Sequence, residues 1–253
     1  VLIAAALEGL PEIKPGDDLA GLIVGALGKA TTDEPPSDLD VLVVAHKVVS
    51  KAEGQIRVLS EVDPGERATE LAGQLGKDPR HVQVVLDESK EVLRAARGVL
   101  ICVTHHGLVC ANAGVDFSNV PGDDTVVVLP RDPDGSARAL RARLRELTGT
   151  APAVVLTDSF GRAWRHGQVD IAIGCAGLAP LEDWRGRRDA QGMELEATWI
   201  AVADELASAA DLARAKDLSQ PVVLIRGAGR HVSAVDGPGA RALIRPEQED
   251  FFR

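Results

Sequence analysis

The chain has 253 residues, enough for one large α/β unit or two smaller lobes, and its hydrophobic fraction of 45% is ample for a core. Lysine and arginine total 28 against 38 acidic residues, a formal net charge of -10. That balance excludes a duplex nucleic-acid binder, which needs a dense positive surface to displace counterions.

No apolar run nears the ~20 residues required to span a bilayer. Cys102, Cys110 and Cys175 form no CxxC pair, so a reduced, cytoplasmic setting is expected, with each thiol acting as a small buried hydrophobe. Val1–Leu7 reads as a strand closed by Gly9-Leu10-Pro11, and no positive segment precedes it as in a signal peptide. Asp17 or Asp18 caps an amphipathic helix carrying Leu19, Leu22, Ile23 and Leu27. Thr31–Asp38 is a polar loop, and Leu39–Ala45 is the nearly continuous apolar run of a strand covered on both faces. Asp63-Pro64 and Asp78-Pro79 each set a capping side chain before a proline, predicting two helices. Val99–Val103 and Leu108–Ala111 flank Thr104-His105-His106-Gly107 as a hairpin. That histidine pair lacks a third ligand at metal spacing, so no zinc site is expected.

Thr125–Leu129 is a further strand, and Ser136–Leu147 a helix with Leu140, Leu144 and Leu147 on one face. Ala153–Leu156 is a buried-type strand ending at Thr157-Asp158, followed by a strand at Val169–Ile173. Thr198–Ala215 is an alanine-rich helix, and Pro221–Ile225 is the last clear strand. Strands and helices mix without strict alternation, so the expected class is α+β, an irregular mixed α/β fold, rather than a doubly wound sheet.

Four polar clusters fall at strand ends or loops, where chemistry usually resides. In Lys47–Gly54, a lysine after a buried strand could reach a phosphate, although an ordinary exposed turn explains the same residues. Cys110–Asn119 offers Asp116 and amides that could hold a hard cation and a nucleotide oxygen, or could close an Asx turn. Thr157–Gln168 combines Asp158 at a strand end with Ser159, Arg162, Arg165 and His166, a set suited to metal ligation and anion clamping. Asp183–Glu194 reads equally as an anion site or a solvated charge run.

Taken in order, Gly9-Leu10-Pro11, Val49–Gly54, Asn112–Asp116 with Ser118-Asn119-Val120, Asp132–Ala137, Thr157-Asp158 with Gly161-Arg162, and Ala201–Glu205 resemble the F-420-0 glutamyl ligase family. The likeness runs from about Gly9 to Gly227. It implies a single ligase-like domain over 1–253 with a two-lobed fold and an intertwined homodimer. It further implies GTP-dependent addition of L-glutamate to a deazaflavin coenzyme precursor, through an acyl phosphate, with γ-linked extension. A pair of divalent ions, Mg²⁺ or Mn²⁺, would accompany the nucleotide. Carried over by position, Asp116, Asp158 and Ser159 would ligate metal, Ser159 standing where the family usually has threonine. Leu10, Pro11, His46, Lys47, Lys51 and Asn119 would line the GTP site. Charge and spacing alone suggest Arg162 and Arg165 as the catalytic anion clamp.

One stretch departs from the family pattern. Ala215–Gln220 lacks the glycines usual before the last strand, which removes easy close approach of backbone to phosphate. An amide synthetase of the same fold acting on another carboxylate is therefore the alternative function. A silent coenzyme-binding protein fits less well, because binding alone has no need of the metal carboxylates.

Overall fold

The computed structural model describes residues 1–28, 35–117, 124–215 and 218–250. Much of the expected Thr31–Asp38 loop, Asn119, and Lys216 and Asp217 lie outside these ranges. The first elements are β1 (Ile3–Ala6), α1 (Leu19–Leu27), β2 (Val41–Ala45), α2 (His46–Ala52), β3 (Ile56–Val58) and α3 (Glu66–Leu75). Next come α4 (Pro79–Asp87), β4 (Ser89–Ala96), β5 (Val99–Thr104), β6 (Val109–Ala111) and β7 (Thr125–Val127). The remainder comprises α5 (Pro133–Thr148), β8 (Ala153–Arg162), β9 (Arg165–Ala176), β10 (Glu182–Asp183), β11 (Trp199–Ile200), α6 (Val202–Ala213) and β12 (Val222–Arg226). The fold is mixed α/β. Among the described residues no helix is long and apolar enough to cross a membrane.

A five-stranded sheet in the order β1-β12-β2-β8-β9 organises the molecule. β2 and β8 run parallel with Ala45 opposite Thr157, whereas the other pairs of this sheet are antiparallel. The apolar runs are continuous because both faces are covered. Leu42, Val44, Val154, Leu156 and Leu224 enter one core with Ile23 of α1 and Leu140 and Leu144 of α5. Their neighbours Val41, Val43, Val155, Val223 and Ile225 enter another, closed by Ala203, Leu206 and Ala210 of α6. A third cluster packs Ala68, Ala72, Val82 and Val85 of α3 and α4 against Leu100 and Cys102 of β5.

Several sequence expectations need correction. The segment after β2 is a helix rather than an exposed turn, with Val48, Val49, Ser50 and Lys51 buried along it. Asp63-Pro64 precedes α3 without capping it, since Gly65 is the N-cap and supplies no side-chain bond. Asp78 and Asp18 do cap their helices, accepting from the amides of Arg80 and Gly21. α5 begins at Pro133, capped by Asp132, which accepts from Gly135 N at 3.0 Å. β4 was not expected from the sequence. β8 and β9 are longer than expected and form one extended hairpin, Ala153 to Ala176.

Candidate active site

The carboxyl ends of the parallel strands β2 and β8 open into a cavity of about 660 Å³. Ligands commonly bind at this end of parallel strands, where the chain leaves the sheet and backbone groups face outward. Lining residues come from five parts of the chain: Leu10–Ile13; Ala45–Val48 with Lys51; Asp116; Thr157–Ser159 with Gln168 and Asp170; and Asp211, Arg214, Ala215 and Ser219–Pro221.

α2 starts directly from β2, so consecutive turns of one short helix present His46, Lys47 and Lys51 to the cavity. Lys47 Nζ lies 2.6 Å from Asp116 Oδ2, and Lys51 Nζ lies 2.5 Å from Glu12 Oε1. His46 is 1% exposed; its Nδ1 is 3.3 Å from Ser50 Oγ, and its Nε2, 3.4 Å from Asp158 Oδ1, has no hydrogen-bond partner among the described residues. Asp116 is set by a tight approach. Asn112, Ala113 and Gly114 all have positive φ, and the Asn112 side chain accepts from Lys77 Nζ and Leu100 N. Gly114 is required there, because a Cβ would meet Leu129 at 2.9 Å. Asp116 then exchanges backbone hydrogen bonds with Val127, at 2.9 and 3.0 Å, which ties it to the β7 strand.

Midway along the β8–β9 hairpin, Asp158 accepts from Ser159 N at 2.8 Å. Asp170, fully buried, accepts from Thr157 Oγ1 at 2.8 Å, from Ser159 Oγ at 2.7 Å and from the Arg214 guanidinium. Burial draws the Arg214 pKa below its ordinary value, and the charge of Asp158 works in the opposite direction. Burial in the adjoining core pushes the Cys110 thiol up to about 12, with the Asp158 charge adding to the effect.

The cavity thus gathers Leu10, Pro11, His46, Lys47, Lys51, Asp116, Asp158 and Ser159 from the residues singled out in the sequence. Asn119 lies outside the described residues. Arg162 and Arg165 are not among the lining residues: both are exposed at the far end of the hairpin, and Arg162 donates to the His166 carbonyl at 2.8 Å. The arginine in the cavity is Arg214, which sequence reasoning missed, as it missed Glu12, Asp170 and Asp211. A charged residue inside the apolar run Val169–Ile173 was the available signal for Asp170, since a buried carboxylate demands partners. The charge run near Asp183 is largely satisfied within itself, by Arg185 with Asp183 and Arg187 with Glu182. His105 and His106 each bond a backbone carbonyl, of Asp87 and Pro130.

The loop before β12 solves its glycine deficit in another way. Ser219 adopts φ +52 and lines the cavity, a left-handed conformation that costs a non-glycine residue roughly 1–2 kcal/mol.

Residues 9–227 match the family model described as F420-0:Gamma-glutamyl ligase. The chain belongs to this ligase family. It is 45% identical over 248 residues to the coenzyme F420:L-glutamate ligase of Methanothermobacter thermautotrophicus, covering 98% of this chain and 97% of that protein. The protein of the same name from Methanopyrus kandleri is 47% identical, covering 96% and 94%, and that from Methanocaldococcus jannaschii 42%, also covering 96% and 94%. The family match takes in all five segments that line the cavity.

Proposed function

We propose that this chain is an amide-bond-forming ligase that adds L-glutamate to the deazaflavin precursor F420-0 and extends the tail through γ-linkages, consuming GTP. The observation that carries the reading is one cavity lined by Asp116, Asp158 and Ser159 together with the cations Lys47, Lys51 and Arg214. A carboxylate and an amine do not condense in water, so the acid must first be activated. In the proposed sequence the substrate carboxylate attacks the γ-phosphorus of GTP, releasing GDP. The glutamate amine then attacks the acyl carbon, and phosphate departs with one former carboxylate oxygen as the amine loses a proton.

The work left to the protein is largely positioning and charge compensation. Lys47, Lys51 and Arg214 supply positive charge where phosphoryl oxygens would lie. Among the described residues no three His, Cys, Asp or Glu side chains already converge as a metal-holding group. Asp116, Asp158 and Ser159 are nonetheless an all-oxygen donor set, as Mg²⁺ or Mn²⁺ prefers, and hard cations of this kind need only one or two carboxylates plus phosphate oxygens and water. These residues would hold the two ions, which would offset charge on the transferring group. In this reading Leu10, Pro11, His46 and Asn119 contribute to the nucleotide site. The protein works in the cytoplasm as a two-lobed single domain forming a homodimer, without nucleic-acid or membrane partners.

Purified protein incubated with GTP, Mn²⁺, L-glutamate and F420-0 should yield the glutamylated product by mass spectrometry, with stoichiometric GDP. Glutamate-independent GDP release with no product would sink the reading. The non-glycine turn at Ser219 favours one second reading, an amide synthetase for a different carboxylate. A panel of carboxylates in the same assay separates the two.

A further inference from the structure

The cavity holds a carboxylate that the proposed chemistry leaves without a task. Asp170 sits at 0% exposure in the middle of β9. Its side chain is not needed to fasten α6 to the sheet. Ser208 Oγ already donates to the Asp170 backbone carbonyl at 3.0 Å, Asp204 accepts from Ala172 N at 2.9 Å, and Leu206 packs beneath.

A serine or threonine hydroxyl has one proton to donate. Thr157 and Ser159 both direct theirs to Asp170, at 2.8 and 2.7 Å. Ser159 therefore turns only oxygen lone pairs toward other neighbours, the surface that a hard cation takes as a ligand. Ser159 takes Asp170 Oδ1, while Oδ2 accepts from both Thr157 and Arg214, which also donates to Thr157 Oγ1 at 3.0 Å and to the Pro221 carbonyl at 3.3 Å. Three acceptors on different elements fix the plane of the guanidinium while it still lines the cavity. A fork held in this way loses little freedom when it meets an anion.

We propose that Asp170 is a positioning residue: its single buried carboxylate sets the Ser159 hydroxyl as an oxygen ligand for a divalent cation and aims Arg214 as the clamp for the anionic phosphoryl groups of the nucleotide. The inference rests on the ligase reading and deepens it.

The test uses calorimetry on the full chain, with Mn²⁺ alone and with GDP in metal-free buffer. Asp170→Asn should weaken Mn²⁺ by about 10-fold or more, the usual effect of removing a residue that orients a ligand, and should weaken GDP as well. Arg214→Gln should weaken GDP by about 10-fold while leaving Mn²⁺ within about twofold, because Ser159 keeps its partner. A purely structural Asp170 would lower the melting temperature without separating the two affinities in this way. Folded Asp170→Asn with wild-type affinities for both ligands overturns the inference. Should Asp170→Asn fail to fold, Ser159→Ala and Arg214→Gln are combined and Mn²⁺·GDP affinity is measured. Coupling above about threefold supports a shared hub at Asp170, and additive effects overturn it. Wild-type protein that binds neither ligand would overturn the ligase reading and this inference with it. Wild-type binding beside an unperturbed Asp170→Asn overturns this inference alone.

Discussion

The middle and the tip of the β8–β9 hairpin carry similar residue types and opposite physical situations. In the middle, Thr157, Asp158, Ser159 and Asp170 are enclosed, bonded to one another and joined to Arg214 from a different element. At the tip, Arg162, Arg165 and His166 stand in solvent beside Trp164, which is 82% exposed and has φ +58. In sequence the two stretches merge into one polar cluster. A charged side chain acts strongly only where water is displaced and its partners are fixed, since screening in solvent reduces a pairwise interaction to about 1 kcal/mol or less. Composition locates a cluster, whereas enclosure sets how strongly its charges can act.

The largest effect is expected in the enclosed middle. Asp158→Asn should lower ligase turnover at least about 100-fold, because an amide cannot supply the anionic ligand a hard cation requires; near-normal rates at limiting Mn²⁺ would break the comparison at its stronger end. Lys51→Ala should come next, raising the dissociation constant for GTP by about 10-fold. Its partner Glu12 is half-exposed and can be taken over by water, so no buried charge is left unpaired. Unchanged nucleotide affinity would remove Lys51 from the site.

At the tip, Arg162→Ala and Arg165→Ala together should change kcat/KM by no more than about twofold, as exposed substitutions away from special features usually do. A large loss would restore the tip as a working part. The smallest effect concerns the buried end of the same strand. Burial pushes the Cys175 thiol up to about 12, leaving a thiolate fraction on the order of 10⁻⁴ at pH 8. Native protein should therefore resist iodoacetamide at that pH until denatured, and prompt labelling of Cys175 would show the strand to be open.

Legibility in the sequence followed local physics. The runs behind β2, β8 and β12 were readable because burial on both faces leaves no polar alternation, and Asp18 and Asp78 announced their helices through capping chemistry. β4 was hidden because Lys90, Glu91 and Arg94 are exposed along it and its register with β5 is interrupted by shifts. α2 was hidden because Val48 and Val49 have weak helix propensity, and only tertiary burial makes the segment helical. At the site, the aspartates at strand ends and the lysines after β2 were visible in short motifs. Asp170 and Arg214 were not, because their meaning comes from a contact across 44 positions of sequence that no local pattern encodes.

The strand order also has a consequence for how the molecule is made. β12 lies between β1 and β2, and β8 on the other side of β2, so the early run Val41–Ala45 gains both neighbours only after much later residues emerge from the ribosome. At about 5–20 residues per second, β1 waits on the order of 10–40 s for the strand that joins it to the sheet. Until β8 emerges, β2 is an apolar strand with two open edges, and until β12 emerges it keeps one, the kind that other chains extend. Synthesis, more than the finished structure, is the stage at which this protein most needs protection from its own copies.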